Sequence, residues 1–221
     1  EANKHLDITA FASYRKIDAT LNKDGTIKTL LKTGYHRTES EMQRKHNASQ
    51  TTTGGNIRWH SGGWHVGLTG VYTAYSDSLK PDKRQAYRKY NPTGIHFYNT
   101  SIDYGYINHR VNINGETALN DKGAVATINA IALKASQSLT LTAIQRFYSY
   151  RYYSMFSSAF SDGGKVQNES GIYLGAAWNP SSRLSVLAYS DYAYFPWARY
   201  LVSEKSHSWD NLIQASYRLS P

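Results

Sequence analysis

The chain of 221 residues contains no cysteine. That absence excludes disulfide frameworks, thiolate metal sites and cysteine nucleophiles. No stretch approaches the roughly 18 uninterrupted apolar residues that a membrane-spanning helix needs, and the mean hydropathy of -0.58 is too polar for helical spans. A membrane location is not excluded by this, because a transmembrane β-barrel turns only alternate residues towards lipid. Recognisable catalytic signatures are also missing: there is no Gly-rich phosphate loop, metalloprotease helix or nucleophile elbow. His36, His46, His60, His65, His96, His109 and His207 are scattered without the tight spacing of zinc ligands. They read as loop residues or as the polar face of strands. The sequence therefore gives no catalytic residue, no metal site and no cofactor site.

Acidic residues are scarce beside basic ones, 16 against 25, for a net charge of +9. Such an excess suits nucleic acid, anionic lipid or an acidic ligand. The densest group is Lys80, Lys83, Arg84, Arg88 and Lys89, diluted by Asp77 and Asp82. A solvated loop is its simplest reading. If that loop is external, it could attract lipopolysaccharide phosphates.

What the chain does have is alternation. Around residues 63–75, Trp64, Val66, Leu68 and Tyr72 share one face, and His65, Gly67, Thr69 and Thr73 share the other. A period of two with one apolar and one small, polar face is a strand signature. The same rhythm gives eleven predicted strands, over residues 5–18, 26–36, 52–60, 63–76, 93–107, 110–119, 124–134, 138–148, 171–179, 183–194 and 208–219. Phe11 breaks the alternation of the first. Thr38-Glu39-Ser40-Glu41 matches a capping box and predicts a short helix over residues 39–46.

The connections alternate in length. Tight turns are expected at residues 22–25, 61–62, 108–109, 136–137 and 180–182. Long connections are expected at 37–49, 77–92, 149–170 and 195–206, and the turn at 120–123 is a short member of the long class. Outer-membrane barrels have short periplasmic turns and longer external loops. The nineteen tyrosines and five tryptophans gather near strand ends, as in the aromatic girdles of such barrels. The expected fold is thus all-β: an antiparallel up-and-down transmembrane β-barrel, with residues 1–221 forming one domain or a fragment of one. Bacterial single-chain barrels have even strand numbers. The odd count, with the first strand read as entering from outside, leads to the expectation that at least one further strand precedes Glu1.

Several phrases carry a resemblance: Phe11-Ala12-Ser13-Tyr14-Arg15-Lys16-Ile17-Asp18-Ala19, Thr33-Gly34-Tyr35-His36-Arg37-Thr38-Glu39-Ser40-Glu41, Asn114-Gly115-Glu116-Thr117-Ala118, Asn168-Glu169-Ser170-Gly171 and Phe195-Pro196-Trp197. In this order they resemble the barrel portion of Bacteroidota envelope proteins of the helix-hairpin-helix, ComEA-like group. In that group a helix-hairpin-helix region of a DNA-binding type precedes a large barrel. The resemblance implies an outer-membrane location and a barrel within a longer protein. It places any DNA-binding role outside these residues.

Candidate site residues fall in two sets. Asp103 and Glu116 are expected to face each other on adjacent strands, with Arg58, Arg146 and Arg218 available as ion-pair partners on the polar face. Such a set could do acid/base work, but a polar barrel lumen is the simpler origin, with ion selectivity as a consequence in a water-filled lumen. The second set is the aromatic connection with Tyr150, Tyr152, Tyr153, Phe156 and Phe160. With its arginines it could bind sugars or bases, or pack on itself over the barrel mouth. The reading that follows is a non-enzymatic outer-membrane β-barrel protein for envelope transport, channel formation or scaffolding. Its expected partners are outer-membrane lipid, lipopolysaccharide and other envelope chains. The alternative is a soluble β-rich module binding glycans or nucleic acid.

Overall fold

In the computed structural model, which describes residues 4–219, eleven strands form one sheet. They are β1 (Leu6–Leu21), β2 (Ile27–Leu31), β3 (Ala48–Ser61), β4 (Trp64–Leu79), β5 (Gly94–Ile107), β6 (Val111–Asn120), β7 (Val125–Lys134), β8 (Leu139–Tyr148), β9 (Glu169–Trp178), β10 (Leu184–Phe195) and β11 (Ser206–Tyr217). From β3 to β11 each strand pairs antiparallel with the next in sequence. β1 pairs antiparallel with β3 over twelve residues, Leu6↔Trp59 to Ile17↔Ala48. The helix α1 (Glu39–Met42) carries the full capping box, Thr38 with Glu41, but stops well short of residue 46.

The predicted strand count holds, but one strand differs in kind from the rest. β2 has five residues and pairs only with the last residues of β1, touching the end of β4 through the single bridge Ile27↔Leu79. The Asn22–Gly25 turn that starts it is closed locally, with Gly25 N–H donating to Asn22 O and the Thr26 N–H and hydroxyl donating to Asp24. The whole stretch 22–47 is thus one long connection, and β1 runs in the opposite sense from that expected. Ten long strands remain. Their connections alternate strictly between a long-connection end (22–47, 80–93, 121–124, 149–168, 196–205) and a short-turn end (62–63, 108–110, 135–138, 179–183). The count of eleven stands, but with β2 set apart from the ten long strands it carries no implication for what precedes Glu1.

Pairing register fixes which residues share a face. One face holds Ile8, Ile57, Leu68, Ile102, Ile113, Ile131, Leu141, Leu174 and Ile213, all exposed. The opposite face holds the buried residues of the regular ladders, among them Gln50, Thr52, Thr73, Asn120, Arg146 and Glu169 as polar groups, and Tyr75, Phe97, Tyr148, Ala193 and Phe195 as apolar ones. The sheet is therefore inside-out relative to a soluble domain. The exposed large apolar residues that break the rule are Phe11 and Leu187 in mid-strand, and Leu21, Ile95 and Ile107 at strand ends. Phe11 has a local reason: its ring lies across Gly54, where an added Cβ would stand 2.7 Å from the ring.

The sheet curls around its buried face. Lys28, Thr29 and Leu30 at one end of the strand order line the same cavity as Phe195 to Val202 at the other. β1 and β11 make no ladder with each other among the described residues. No helix among those residues is long and apolar enough to cross a membrane.

Candidate functional site at the long-connection end

The long connection 149–168 lies across the inward face. Asn120 Nδ2 donates to Arg151 O (3.0 Å), Asn99 Nδ2 to Tyr153 O (2.9 Å), and the Tyr153 hydroxyl to Asp121 (2.5 Å). Tyr152 and Tyr153 are buried. Tyr153 joins Ala19, Ile27, Ala48, Tyr75, Leu79 and Phe97 in one apolar cluster, and Tyr152 joins Ala126 and Tyr148 in a second. Burial pushes the Tyr152 hydroxyl up to about 12, and burial with the Asp121 carboxylate raises that of Tyr153 further. Both stay neutral, as packed phenols do.

Beneath this connection sits a buried ionic group. Arg146 on β8 donates through Nε to Glu169 and through Nη1 and Nη2 to the Asp191 carboxylate (2.7 and 3.1 Å). The side chains of Arg146 and Glu169 are 0% exposed, that of Asp191 12%. Glu169 also accepts the backbone N–H groups of Asp162 and Gly163 (2.9 and 2.8 Å), so the cluster ties the connection to β8, β9 and β10. The Phe160 ring covers the guanidinium at 5.0 Å. Every charged oxygen has donors, as burial requires.

The other expected lumen residues do not join it. Asp103 and Glu116 do stand opposite each other across β5 and β6. The basic side chain within reach of Asp103 is His65, at 3.8 Å, not an arginine. Arg58 stands opposite Asp7 on the same face, but Asp7 pairs with His60 (3.3 Å), and no carboxylate reaches Arg58 among the described residues. Arg218 lies past the end of β11, exposed, with its backbone N–H on Arg183 O. The expected arginine–carboxylate pairing is thus corrected. Arg146 is taken by Glu169 and Asp191 because its guanidinium lies across Gly171 on β9, whereas Ile128 on β7 stands between it and Glu116 in the same ladder row. No group of three or more His, Asp or Glu among the described residues could hold a metal.

The aromatic connection also divides. Tyr152 and Tyr153 pack inward. Phe156 and Phe160 are half-exposed over the inner face, Phe156 beside a second cavity of about 340 Å³. Tyr150 lines the larger cavity, about 830 Å³, at the long-connection end. Its partners come from two other connections, Tyr90 and Trp197, which composition alone did not single out. Ring centroids are 4.9 Å for Tyr90–Tyr150, 5.1 Å for Tyr90–Trp197 and 5.7 Å for Tyr150–Trp197. Trp197 is fixed by its Nε1–H on Ala86 O (2.9 Å) and by paired bonds between its backbone and the Asn168 amide (2.8 Å each). Asn168 adopts a left-handed conformation (φ 60°) to make them, which Asn tolerates better than most residues. At the rim Tyr87 meets Tyr200 at 5.7 Å. Lys89 and Arg151 lie over the rings at 5.3–5.8 Å, within cation–π range.

The cavity carries excess positive charge. Lys28, Arg88, Lys165 and Arg199 line it, against Asp82 and Asp162. Asp82 is already held by Arg84 (2.5 Å), which draws its carboxyl well below the usual range. Asp162 stands 4.0 Å from Arg199. Arg199 Nε is buried with no hydrogen-bond partner. The site can thus offer aromatic faces and cations. No protein-family model and no curated protein matches the chain.

Proposed function

We propose that this chain is a non-enzymatic outer-membrane β-barrel protein or a segment of one, acting in envelope transport or as a scaffold within a larger assembly, in a Bacteroidota envelope if the resemblance of its phrases holds. One observation carries the reading: the sheet is inside-out. Each of the ten long strands exposes at least two large apolar side chains on the outward face, and that is costly in water, where contiguous apolar patches beyond a few hundred Å² are rare on monomers. The same face suits hydrocarbon, with polar residues turned to the lumen.

The aromatic spacing supports it. Trp64 and Tyr72, Tyr98 and Tyr106, and Trp209 and Tyr217 are each eight residues apart on the outward face. They form matching pairs across strands, Trp64 with Tyr106 at 4.5 Å and Tyr72 with Tyr98 at 5.0 Å. Eight residues span about 26 Å along a strand, which the roughly 40° tilt of barrel strands turns into about 20 Å of height, comparable to the roughly 25 Å apolar band between the aromatic girdles of such barrels. Apart from the tight turn 121–124, the connections at one end are long and those at the other are short turns, which fits external loops and periplasmic turns. By the chain of pairings β1 and β11 run antiparallel, so they can close a barrel directly or through an even number of strands. The connection folded across the mouth favours a plugged conduit or scaffold over a wide pore.

The test is reconstitution. The protein should need detergent to remain monodisperse, and after insertion into phosphatidylcholine vesicles added protease should cut only within the long connections. A monodisperse monomer in plain buffer would point instead to the soluble binding module.

A further inference from the structure

We infer that the cavity at the long-connection end is a binding site for an anionic saccharide, a sugar bearing a carboxylate or a phosphate. The inference concerns the ligand of the mouth and stands whether or not the sheet proves to lie in a membrane. Three connections far apart in sequence, 80–93, 149–168 and 196–205, together with β2, build one cavity of about 830 Å³. That volume is in the upper part of the range for small-molecule sites.

The lining chemistry selects the class. The cations outnumber usable carboxylates. Asp82 is committed to Arg84, and no carboxylate of the described residues lies within ion-pair distance of Lys28, Arg88 or Lys165. Arg199 lies over the Phe195 ring at 3.6 Å with its side chain 32% exposed, so its guanidinium can still donate a charge-assisted hydrogen bond to an anionic group on the ligand.

The rings argue for a saccharide rather than a nucleobase. Tyr150 and Trp197 stack on each other, 5.7 Å between centroids and 25° between planes, so no open slot remains between parallel rings for a planar base. The remaining contacts are T-shaped or tilted. The exposed ring of Tyr200 on the rim, 68% accessible, suits the C–H face of a pyranose. The Asn91 side chain stands in the lining for hydroxyls.

Calorimetric titration of the full chain in detergent tests this with five probes: trigalacturonate, glucose 1-phosphate, maltotriose, thymidine monophosphate and inorganic phosphate. Trigalacturonate or glucose 1-phosphate should bind, with the tighter of the two identifying the anionic group, and maltotriose should bind at least about tenfold more weakly. Arg199→Gln should weaken binding about tenfold, the scale of one lost charge-assisted hydrogen bond. Lys165→Gln, an exposed position that carries no packing, should weaken it by a smaller factor, growing at low salt. Equal binding of maltotriose, tighter binding of thymidine monophosphate, inorganic phosphate binding as well as the sugar phosphate, or no binding of either anionic sugar would each overturn the inference. So would unchanged affinity in both variants.

Discussion

At the scale of single residues the most consequential side chain is Arg146. It is buried, shared between Glu169 and Asp191, and roofed by Phe160. Removing one partner of a buried ionic group leaves its opposite charge uncompensated, at a cost of about 3–5 kcal/mol. Arg146→Met should therefore lower the unfolding free energy, read from denaturant titration, by that amount, while Arg146→Lys, which keeps the charge and loses the fork, should lose less. Gly171 sits directly opposite, where a Cβ would stand 2.6 Å from Arg146 Cζ and 2.7 Å from the Tyr192 carbonyl oxygen. Backbone cannot yield cheaply, so Gly171→Ala should destabilise by about 1–3 kcal/mol as overpacking does, read in the same unfolding experiment. Glu41 gives a pH signature of opposite character, at the surface. The Arg37 side chain, with backbone N–H groups of Arg37 and Thr38, draws its carboxyl from the ordinary 4.5 to about 2. A carboxyl with a depressed folded-state pKa supports the structure above its unfolded value and loses that support as pH falls through the folded one. The α1 capping box should thus be intact above about pH 4.5 and lost progressively towards pH 2. The Thr38 and Glu41 amide shifts in NMR should report this, and Glu41→Gln should abolish the dependence.

At the scale of elements the decisive piece is the connection 149–168. Its ends are pinned by strand register and its middle by polar bonds to Asn99, Asn120, Asp121 and Glu169. Its apolar side chains complete both core clusters. It behaves as part of the fold, unlike the mobile loops that such length usually signals. Tyr153→Phe removes one bond to a charged partner and leaves the ring in place. The expected cost is about 1.5–3 kcal/mol, felt locally as faster proteolytic nicking within 154–167, with the strand ladders unchanged by circular dichroism. β2 and α1 make the complementary point. The alternating pattern of residues 26–36 marked a full strand, but Asp18 bonds to His36 and to the His46 backbone, and Asn47 caps Ala19 on both N–H and C=O. The chain is drawn into a compact connection after five residues of ladder.

At the scale of the whole molecule the two faces of the sheet should respond to charge in opposite ways. Leu174 is outward and 53% exposed near mid-strand, while Thr142 is inward on the adjoining strand at similar depth. In a bilayer Leu174→Arg should cost about 2–4 kcal/mol, whereas Thr142→Arg, facing the lumen, should cost far less. Comparing the urea midpoints of the two variants in vesicles reads this difference directly, and equal effects would contradict a lipid-facing outward surface.

The period of two, the turn chemistry and the capping box determined a great deal by themselves, because they act within a few residues. Outside residues 22–47, strand positions, the identity of the two faces and the division into long and short connections were legible, as was the start of α1, and Phe11 was visible as an exception. The facing of Asp103 and Glu116 followed from hairpin register. What crossed long stretches of sequence was not legible. Alternation cannot distinguish a ladder of sixteen residues from one of five, so the role of β2, and with it the direction of β1, was decided only by pairing. Neither could it show that Arg146 meets Glu169 and Asp191, or that Tyr150 meets Tyr90 and Trp197. Arg146 meets its carboxylates through the register of three adjacent strands and the space left at Gly171, and Tyr150 meets Tyr90 and Trp197 because the sheet curls and brings their connections to one mouth. Local sequence decides which way each side chain points, and register with curvature decides what it meets.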